Sequence, residues 1–438
     1  MSHIGVLTFP DTGHLNSLCA LGRRLRQRGH EVTVFQIVDV EPIIREAGLN
    51  FVQIGQREFP KGSLLKQHRR VGRQSGLWAH FYLSQRMRAM SAIILREAPS
   101  AISQAKIDAL IIDQVEFAGG TVAEHLNVPF VSVASALPVH LERETPYFVF
   151  NWRHGNSSLH RLRNRLGMEL IESMTGPIKA TINRYRVRWS LPVVHHIGEL
   201  FSKVAQISQI PAEFDFPSRK LPSSFHYTGP FIDPEGRRPV DFPWERISSD
   251  RPLIYVSMGT LRNGLKHVFH AIAEACEGLG TQLVVSLGGG LEPEDLEPMA
   301  GNPILVRYAP QVELVRRSAL IVTHGGLNTV MEALSNGVPM VVIPITDDQP
   351  GVGARVQWTG TGEVIPVKQL SKEKLRRAVC AVLRDPCYRR AARRLQACIA
   401  DTNGLERAAD IVEQALGNTT NRYASQYKEP LSNKGDAT

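Results

Sequence analysis

The chain has 438 residues, 43% of them hydrophobic, and carries 51 Lys and Arg against 42 Asp and Glu, a net charge of +9. That length exceeds one ordinary core, so two domains of about 200 residues are expected, and no uninterrupted run of 18 apolar residues suggests a membrane span. Five cysteines without CxxC spacing argue against a zinc knuckle or disulfide framework, and the opening MSHIGVLTFPDTGH lacks a basic n-region and cleavage site; both point to the cytoplasm.

The first strand is expected over His3 to Phe9, then a Gly-His turn and a helix from Leu15 to Arg28. GHEVTVFQ supplies a strand from Glu31 to Gln36, and AKIDALIIDQ a buried strand ending at Asp113. A helix from Gly119 to His125 leads to the strand PFVSVAS, and residues 140–200 read mainly as helix. The run from Leu221 to Pro243, dense in Pro, Gly and charge, reads as a linker. Alternation restarts with the strands RPLIYVSMGT, QLVVSLG, PILVRYAP, ALIVTHGG and PMVVIPI, and helices follow Pro366. Short Val/Ile-rich strands alternating with helices predict an α/β chain: two Rossmann-like doubly wound parallel-sheet domains facing a cleft. The expected boundaries are 1–228 for the first domain, 229–250 for the linker, and 251–395 for the second domain. A C-terminal helix, 396–416, is expected to pack back on the first domain, followed by a polar, disordered tail, 417–438.

The chemistry concentrates where strands turn into helices. In VTHGGLNTVMEAL, His324, Gly325 and Gly326 end a strand, and glycines there let the backbone approach an anion. The following helix offers unpaired N–H groups and a positive dipole end, with Asn328 and Thr329 on its first turn and Glu332 one turn on. A plain Gly-rich capping turn would look similar. A second corner, VSMGTLRNGLK, places Ser257, Gly259 and Thr260 after another strand; its Gly264-Leu265-Lys266 lacks the Gly-Lys-Ser/Thr of a P-loop. The first turn, PDTGHLN, is no G-x-G-x-x-G, which disfavours a nicotinamide dehydrogenase. It does carry His14, and Asp113, ending another strand of that sheet, could fix the histidine's tautomer and stabilise its imidazolium. Base, partner and anion site together suit a hydroxyl attacking a carbon that expels a nucleotide diphosphate. ITDDQPG adds Asp347, Asp348 and Gln349, groups that bracket sugar hydroxyls or, alternatively, hold a divalent metal.

Basic residues cluster from Lys61 to Arg88 and from Arg153 to Arg188, interleaved with Trp78, Phe81, Tyr82, Trp152, Tyr185 and Trp189. Without a recognition module for nucleic acid, these are solvated helix faces or a membrane-docking surface.

The segment YAPQVELVRRSALIVTHGGLNTVMEALSNGVPMVVIPITDDQ, Tyr308 to Gln349, resembles the donor-binding signature of the UDP-dependent glycosyltransferases with the GT-B fold. The likeness spans nearly the whole chain; the first-domain Gly-His, DQVEFAG, VSVASALP, AQISQIPAEFDFP and VSMGTL are most similar to bacterial zeaxanthin glucosyltransferases. It implies an inverting, metal-independent enzyme moving glucose or another hexose from a UDP-sugar to a hydroxyl of a lipophilic acceptor, a carotenoid such as zeaxanthin being favoured. It implies no cofactor, the UDP-sugar being a co-substrate, and no nucleic-acid partner. His14 would be the base and Asp113 its partner. Tyr308 would stack on uracil where plant members have Trp, and Gln311 would contact the nucleoside. His324 and the amides of Asn328 and Thr329 would hold the diphosphate with help from Ser257 and Thr260; Gly259, Gly325 and Gly326 complete the turns. Glu332 would bind ribose, and Asp348 and Gln349 the transferred sugar. Leu327 stands where plant members have Trp, and Ser17 where many relatives have Pro. Flavonoids, sterols or other small alcohols would fit the same core, with a UDP-sugar epimerase as the alternative of another class. The expected location is cytoplasmic, with peripheral contact at the inner face of a membrane.

Overall fold

The computed structural model describes residues 1–72, 76–139, 144–217, 220–233, 236, 239–260, 264–296 and 298–426, with side chains left undescribed over 68–81 and 418–426. The side chains of Arg69, Arg70, Arg73, Trp78 and Phe81 in the first basic stretch, and residues 427–438, therefore lie outside the described part of the chain.

Among the described residues, thirteen strands form two wholly parallel sheets. The first comprises β1 (His3–Leu7), β2 (Glu31–Gln36), β3 (Asn50–Gln53), β4 (Ala109–Asp113), β5 (Phe130–Ala134), β6 (Gln206–Ser208) and β7 (Phe225–Tyr227). The second comprises β8 (Leu253–Ser257), β9 (Gln282–Ser286), β10 (Ile304–Val306), β11 (Leu320–Thr323), β12 (Met340–Val342) and β13 (Gly362–Val364). Their orders are β3-β2-β1-β4-β5-β6-β7 and β10-β9-β8-β11-β12-β13. The central strands are buried along their length, as parallel strands covered by helices on both faces must be.

Each sheet reverses its winding once, between β1 and β4 in the first and between β8 and β11 in the second. Chain leaving the carboxyl ends of neighbouring strands there departs to opposite faces, opening a crevice suited to a ligand. The turns that follow β1, β4, β8 and β11 are those the sequence singled out for chemistry.

Several boundaries differ from expectation. The first helix runs from Thr12 to Gln27, so His14 lies on its first turn. β7 sits inside the run read as linker, recruited by pairing with β6, its Phe225 and Tyr227 packed edge to face. The stretch from Tyr388 to Leu416 breaks at Asp401–Asn403, with Asn403 at φ 44, into helices Pro386–Ala400 and Gly404–Gln426. The second of these runs into the stretch read as a disordered tail, which is corrected to helix through Gln426. It contributes Leu405, Ala408, Ala409 and Val412 to the core of the first domain. Its Glu406 and Glu413 pair with Arg28 at the end of the first helix.

A second junction ties the halves together. Arg355, on the helix Gln349–Thr359, and Asp215, after β6, are both almost wholly buried. Arg355 donates from Nε (2.9 Å) and Nη2 (2.7 Å) to Asp215 Oδ1, while the Tyr227 hydroxyl donates to Oδ2 at 2.7 Å. Phe216 stacks on the guanidinium at 4.5 Å. A buried ion pair adds little net stability over apolar packing, but removing one partner strands a charge. Asp215→Ala is expected to lower the unfolding free energy by about 3–5 kcal/mol, read as a shifted urea midpoint.

Candidate functional site

β1 and β4 are neighbours, so the helix after β1 and the last residue of β4 meet at the same sheet edge. His14 Nδ1 lies 2.8 Å from Asp113 Oδ2. A carboxylate accepts from Nδ1, so in the neutral ring Nδ1 carries the proton and Nε2 the lone pair. Asp113 is itself anchored by the hydroxyls of Thr8 (3.3 Å) and Ser135 (2.7 Å). Ser135 Oγ also lies 2.6 Å from His14 Nδ1, completing a three-membered contact. Burial alone would lower the His14 pKa; the charge and hydrogen bond of Asp113 outweigh it, with Asp11 and Asp348 adding to them, and raise it to about 8.

The second half of the site lies at the β8/β11 reversal. His324 follows β11, and its ring lies over two glycines. A Cβ on Gly259 would approach His324 Nε2 to 2.6 Å, and one on Gly326 to 2.7 Å. Gly259 (φ 76) and Gly325 (φ 89) also hold backbone conformations that side chains disfavour. Burial lowers the His324 pKa to about 4 against a hydrogen bond to the Ser257 backbone, so the ring is neutral in the unliganded protein. The helix Leu327–Ser335 starts at Gly326 without a side-chain cap, which leaves first-turn N–H groups for an anion.

Asn328 does something the sequence did not foresee. Its Nδ2 donates to the Gly13 carbonyl at 2.9 Å, beside His14. Its Oδ1 lies 2.9 Å from Gln209 Nε2 and 3.2 Å from Ser17 Oγ. Gln209 further donates to the Ser135 carbonyl and reaches Ser17 Oγ at 3.0 Å. The Asn328 side chain is thus spent bridging the domains, and only its backbone N–H remains for a diphosphate.

Thr329 accepts from Gln311 Nε2 at 3.3 Å, and the same nitrogen donates to Glu332 Oε2 at 2.8 Å. Tyr255 orients Gln311 by donating to its Oε1 at 3.2 Å. Gln311, Thr329 and Glu332 thus form one cluster, held together before any nucleotide arrives. Tyr308 is 48% exposed, its hydroxyl lying over Gly289 and the Arg307 guanidinium over its ring, 5.8 Å from the centroid. Thr260 is exposed at the end of the β8 turn, apart from these clusters.

Asp348 precedes the helix Gln349–Thr359, and its Oδ2 accepts from the Leu137 N–H, across the domains, at 3.5 Å. Burial first, then the neighbouring Asp347 charge, raises its pKa to about 6, opposed by His14. Asp347 holds φ 60, a left-handed backbone that costs a non-glycine residue on the order of 1–3 kcal/mol. Gln349 Oε1 accepts from the Ile345 and Thr346 N–H groups (2.9 and 3.1 Å), which fixes the loop.

The sequence missed Ser135, Gln209, Ser17 as a bridging group, and Glu116. Pairing of β4 with β5 in parallel would have pointed to Ser135, since its strand ends beside Asp113. Glu116 is 2% exposed, with Oε2 unpartnered; burial, and then the Asp113 charge, raise its pKa well above the carboxylate range.

The arrangement can deprotonate a hydroxyl at His14 Nε2 while an anion rests on the glycine turns and helix opposite. Among the described residues no group of three His, Cys, Asp or Glu is placed to hold a metal ion. No helix among them is long and apolar enough to cross a membrane.

Residues 6–414 match the model of the family described as UDP-glucoronosyl and UDP-glucosyl transferase. Zeaxanthin glucosyltransferase from Pantoea ananas is 30% identical over 418 residues, covering 95% of this chain and 96% of that protein. Zeaxanthin glucosyltransferase from Pseudescherichia vulneris is 30% identical over 424 residues, covering 95% and 98%. Among solved structures, the glycosyltransferase of kitacinnamycin superposes with a TM-score of 0.74 at 20% identity, over 94% of this chain and 98% of that one, a likeness of fold.

Because the Asp113 charge holds the His14 pKa up, His14 should titrate by NMR near pH 8 in the unliganded protein. In Asp113→Asn, burial is left to act with only weaker charges against it, and the titration should move below the ordinary histidine value of about 6.5.

Proposed function

The chain belongs to the UDPGT family of glycosyltransferases, enzymes that move a sugar from a nucleotide-sugar donor to a small-molecule acceptor; from that premise we propose that it transfers glucose, or another hexose, from the UDP-sugar to a hydroxyl of a lipophilic acceptor with inversion. A carotenoid such as zeaxanthin is the favoured acceptor, as in the names of the two bacterial relatives. The observation that carries the reading is the Gly13–Asn328 contact: it sets a histidine with a free Nε2 against the N-terminus of a helix suited to a diphosphate.

In this mechanism the acceptor hydroxyl gives its proton to His14 Nε2 as its oxygen attacks the anomeric carbon. The bond from that carbon to the UDP oxygen breaks on the opposite face, and the configuration inverts. Asp113, steadied by Ser135 and Thr8, stabilises the imidazolium formed. Charge growing on the departing diphosphate meets the first-turn N–H groups of the helix Leu327–Ser335, the His324 ring and the turn Ser257–Thr260. Arrival of that anion would raise the His324 pKa from its unliganded value of about 4. Glu332 and Gln311 would take the ribose and uracil, Tyr308 would stack on the base, and Asp348 with Gln349 would bracket the sugar. No metal enters, since backbone N–H groups and the helix dipole oppose the leaving charge.

With UDP-glucose and a panel of carotenoid, flavonoid and sterol alcohols, mass-shifted products should be strongest for the carotenoid diol. His14→Ala should lower kcat by about 10²–10⁴; turnover near the wild-type rate would remove His14 from the base role. A base must be unprotonated, so kcat/KM should rise with pH and level off above the His14 pKa of about 8.

A further inference from the structure

The helix Ser158–Arg188 buries one side, through Asn164, Gly167, Met168 and Ile171. Its opposite side is unusual: Leu159, Leu162, Leu166 and Leu170 are exposed at 78%, 55%, 63% and 48%. Their spacing of three, four and four residues confines them to an arc of about 80° at 100° per residue. Exposed leucines scattered singly need no explanation, but four in one stripe, where a surface helix ordinarily turns polar groups outward, do.

The stripe's surroundings say what covers it. Arg165 and Arg161 are exposed on one flank of the stripe, with one exposed acid, Glu169, between them and the leucines. Arg163 leans back over the Trp152 ring at 4.8 Å. A second copy of the chain, pairing this helix with itself, would set three arginines against three with one glutamate each to relieve them. An anionic lipid surface instead takes the arginines at its headgroups and the leucines at its acyl boundary, and the net charge of +9 draws the whole chain toward it. The loop before the helix leads back to the cleft. Phe150 and Trp152 stack at 4.1 Å and pack on Gly167, while Phe148 abuts Gly351, near the start of the helix that Asp348 precedes.

We propose that the Leu159–Leu162–Leu166–Leu170 stripe with its bordering arginines is a docking surface for an anionic membrane, which sets the enzyme down beside a lipid-dissolved acceptor. The surface alone carries this inference, whatever the reaction, and docking is read without substrate.

The full chain is sedimented with vesicles of phosphatidylcholine alone and of phosphatidylcholine with one third phosphatidylglycerol, at low and high salt. The wild type should bind the anionic vesicles, less at high salt and less to the neutral ones. Leu162→Glu with Leu166→Glu should lower the partition coefficient at least about tenfold. Arg161→Gln with Arg165→Gln should lower it several-fold on anionic vesicles only, which keeps the test alive should the leucine variant misfold. Glucosyl transfer to a water-soluble phenol, measured on all three proteins, should be unchanged, separating loss of docking from loss of catalysis. Absence of wild-type binding, or equal binding by the leucine variant, would overturn the proposal. So would a wild-type dimer in light scattering that the leucine variant converts to monomer.

Discussion

Strand order is the constraint on which the site depends. In each sheet the winding reverses once, beside the strand that comes first in the chain, and each reversal leaves a crevice at the carboxyl edge. One crevice receives His14 and Asp113, from the turns after β1 and β4. The other receives Ser257 to Thr260 and His324 to Asn328, from the turns after β8 and β11. Neither half suffices: the first has a base and no place for a leaving group, the second an anion site and nothing to activate a nucleophile. Asn328 joins them through Gly13, Ser17 and Gln209. The bridge also reaches the dyad, since Gln209 donates to the carbonyl of Ser135, whose hydroxyl touches both His14 and Asp113. The start of the helix Leu327–Ser335 and the position of His14 are therefore mechanically connected.

Electrostatics divide the labour between the two histidines. His14 sits among carboxylates, which outweigh its burial and hold its pKa near 8; His324 lies on glycine backbone, and burial drives its pKa to about 4. The same ring is a strong base in one crevice and a neutral hydrogen-bonding group in the other. Asp348 lies between the two regimes, raised by burial and Asp347 yet held down by His14, so its charge state is coupled to that of His14.

Much of this was legible in the sequence because strand ends are marked by Val/Ile runs that stop at Gly, His, Asp or Ser. That pattern located His14, Asp113, the Gly259 turn and the His324 corner without knowledge of pairing. What escaped depends on contacts between distant segments. β6 and β7 have three residues each, too few for an alternation to show, and are strands through their pairing with β5 and with each other. Ser135 and Gln209 are ordinary polar residues until the sheet order sets them beside Asp113 and Asn328. Asn328 opens a helix, and its backbone N–H keeps the place expected of it; that its side chain reaches Gly13 is encoded in no local pattern. The last helix docks through residues from Leu405 to Leu416 on a core contributed by the other end of the chain, which no local pattern shows.

The central claim is that base and leaving group stand on opposite faces of the anomeric carbon, so transfer proceeds by one displacement. The most direct test is the proton NMR spectrum of the glycoside formed from UDP-glucose, whose donor linkage is α. Transfer through His14 predicts a β-glucoside as the sole first-formed anomer. An α-glucoside would contradict the account, since retention requires a second displacement or attack from the face the diphosphate leaves.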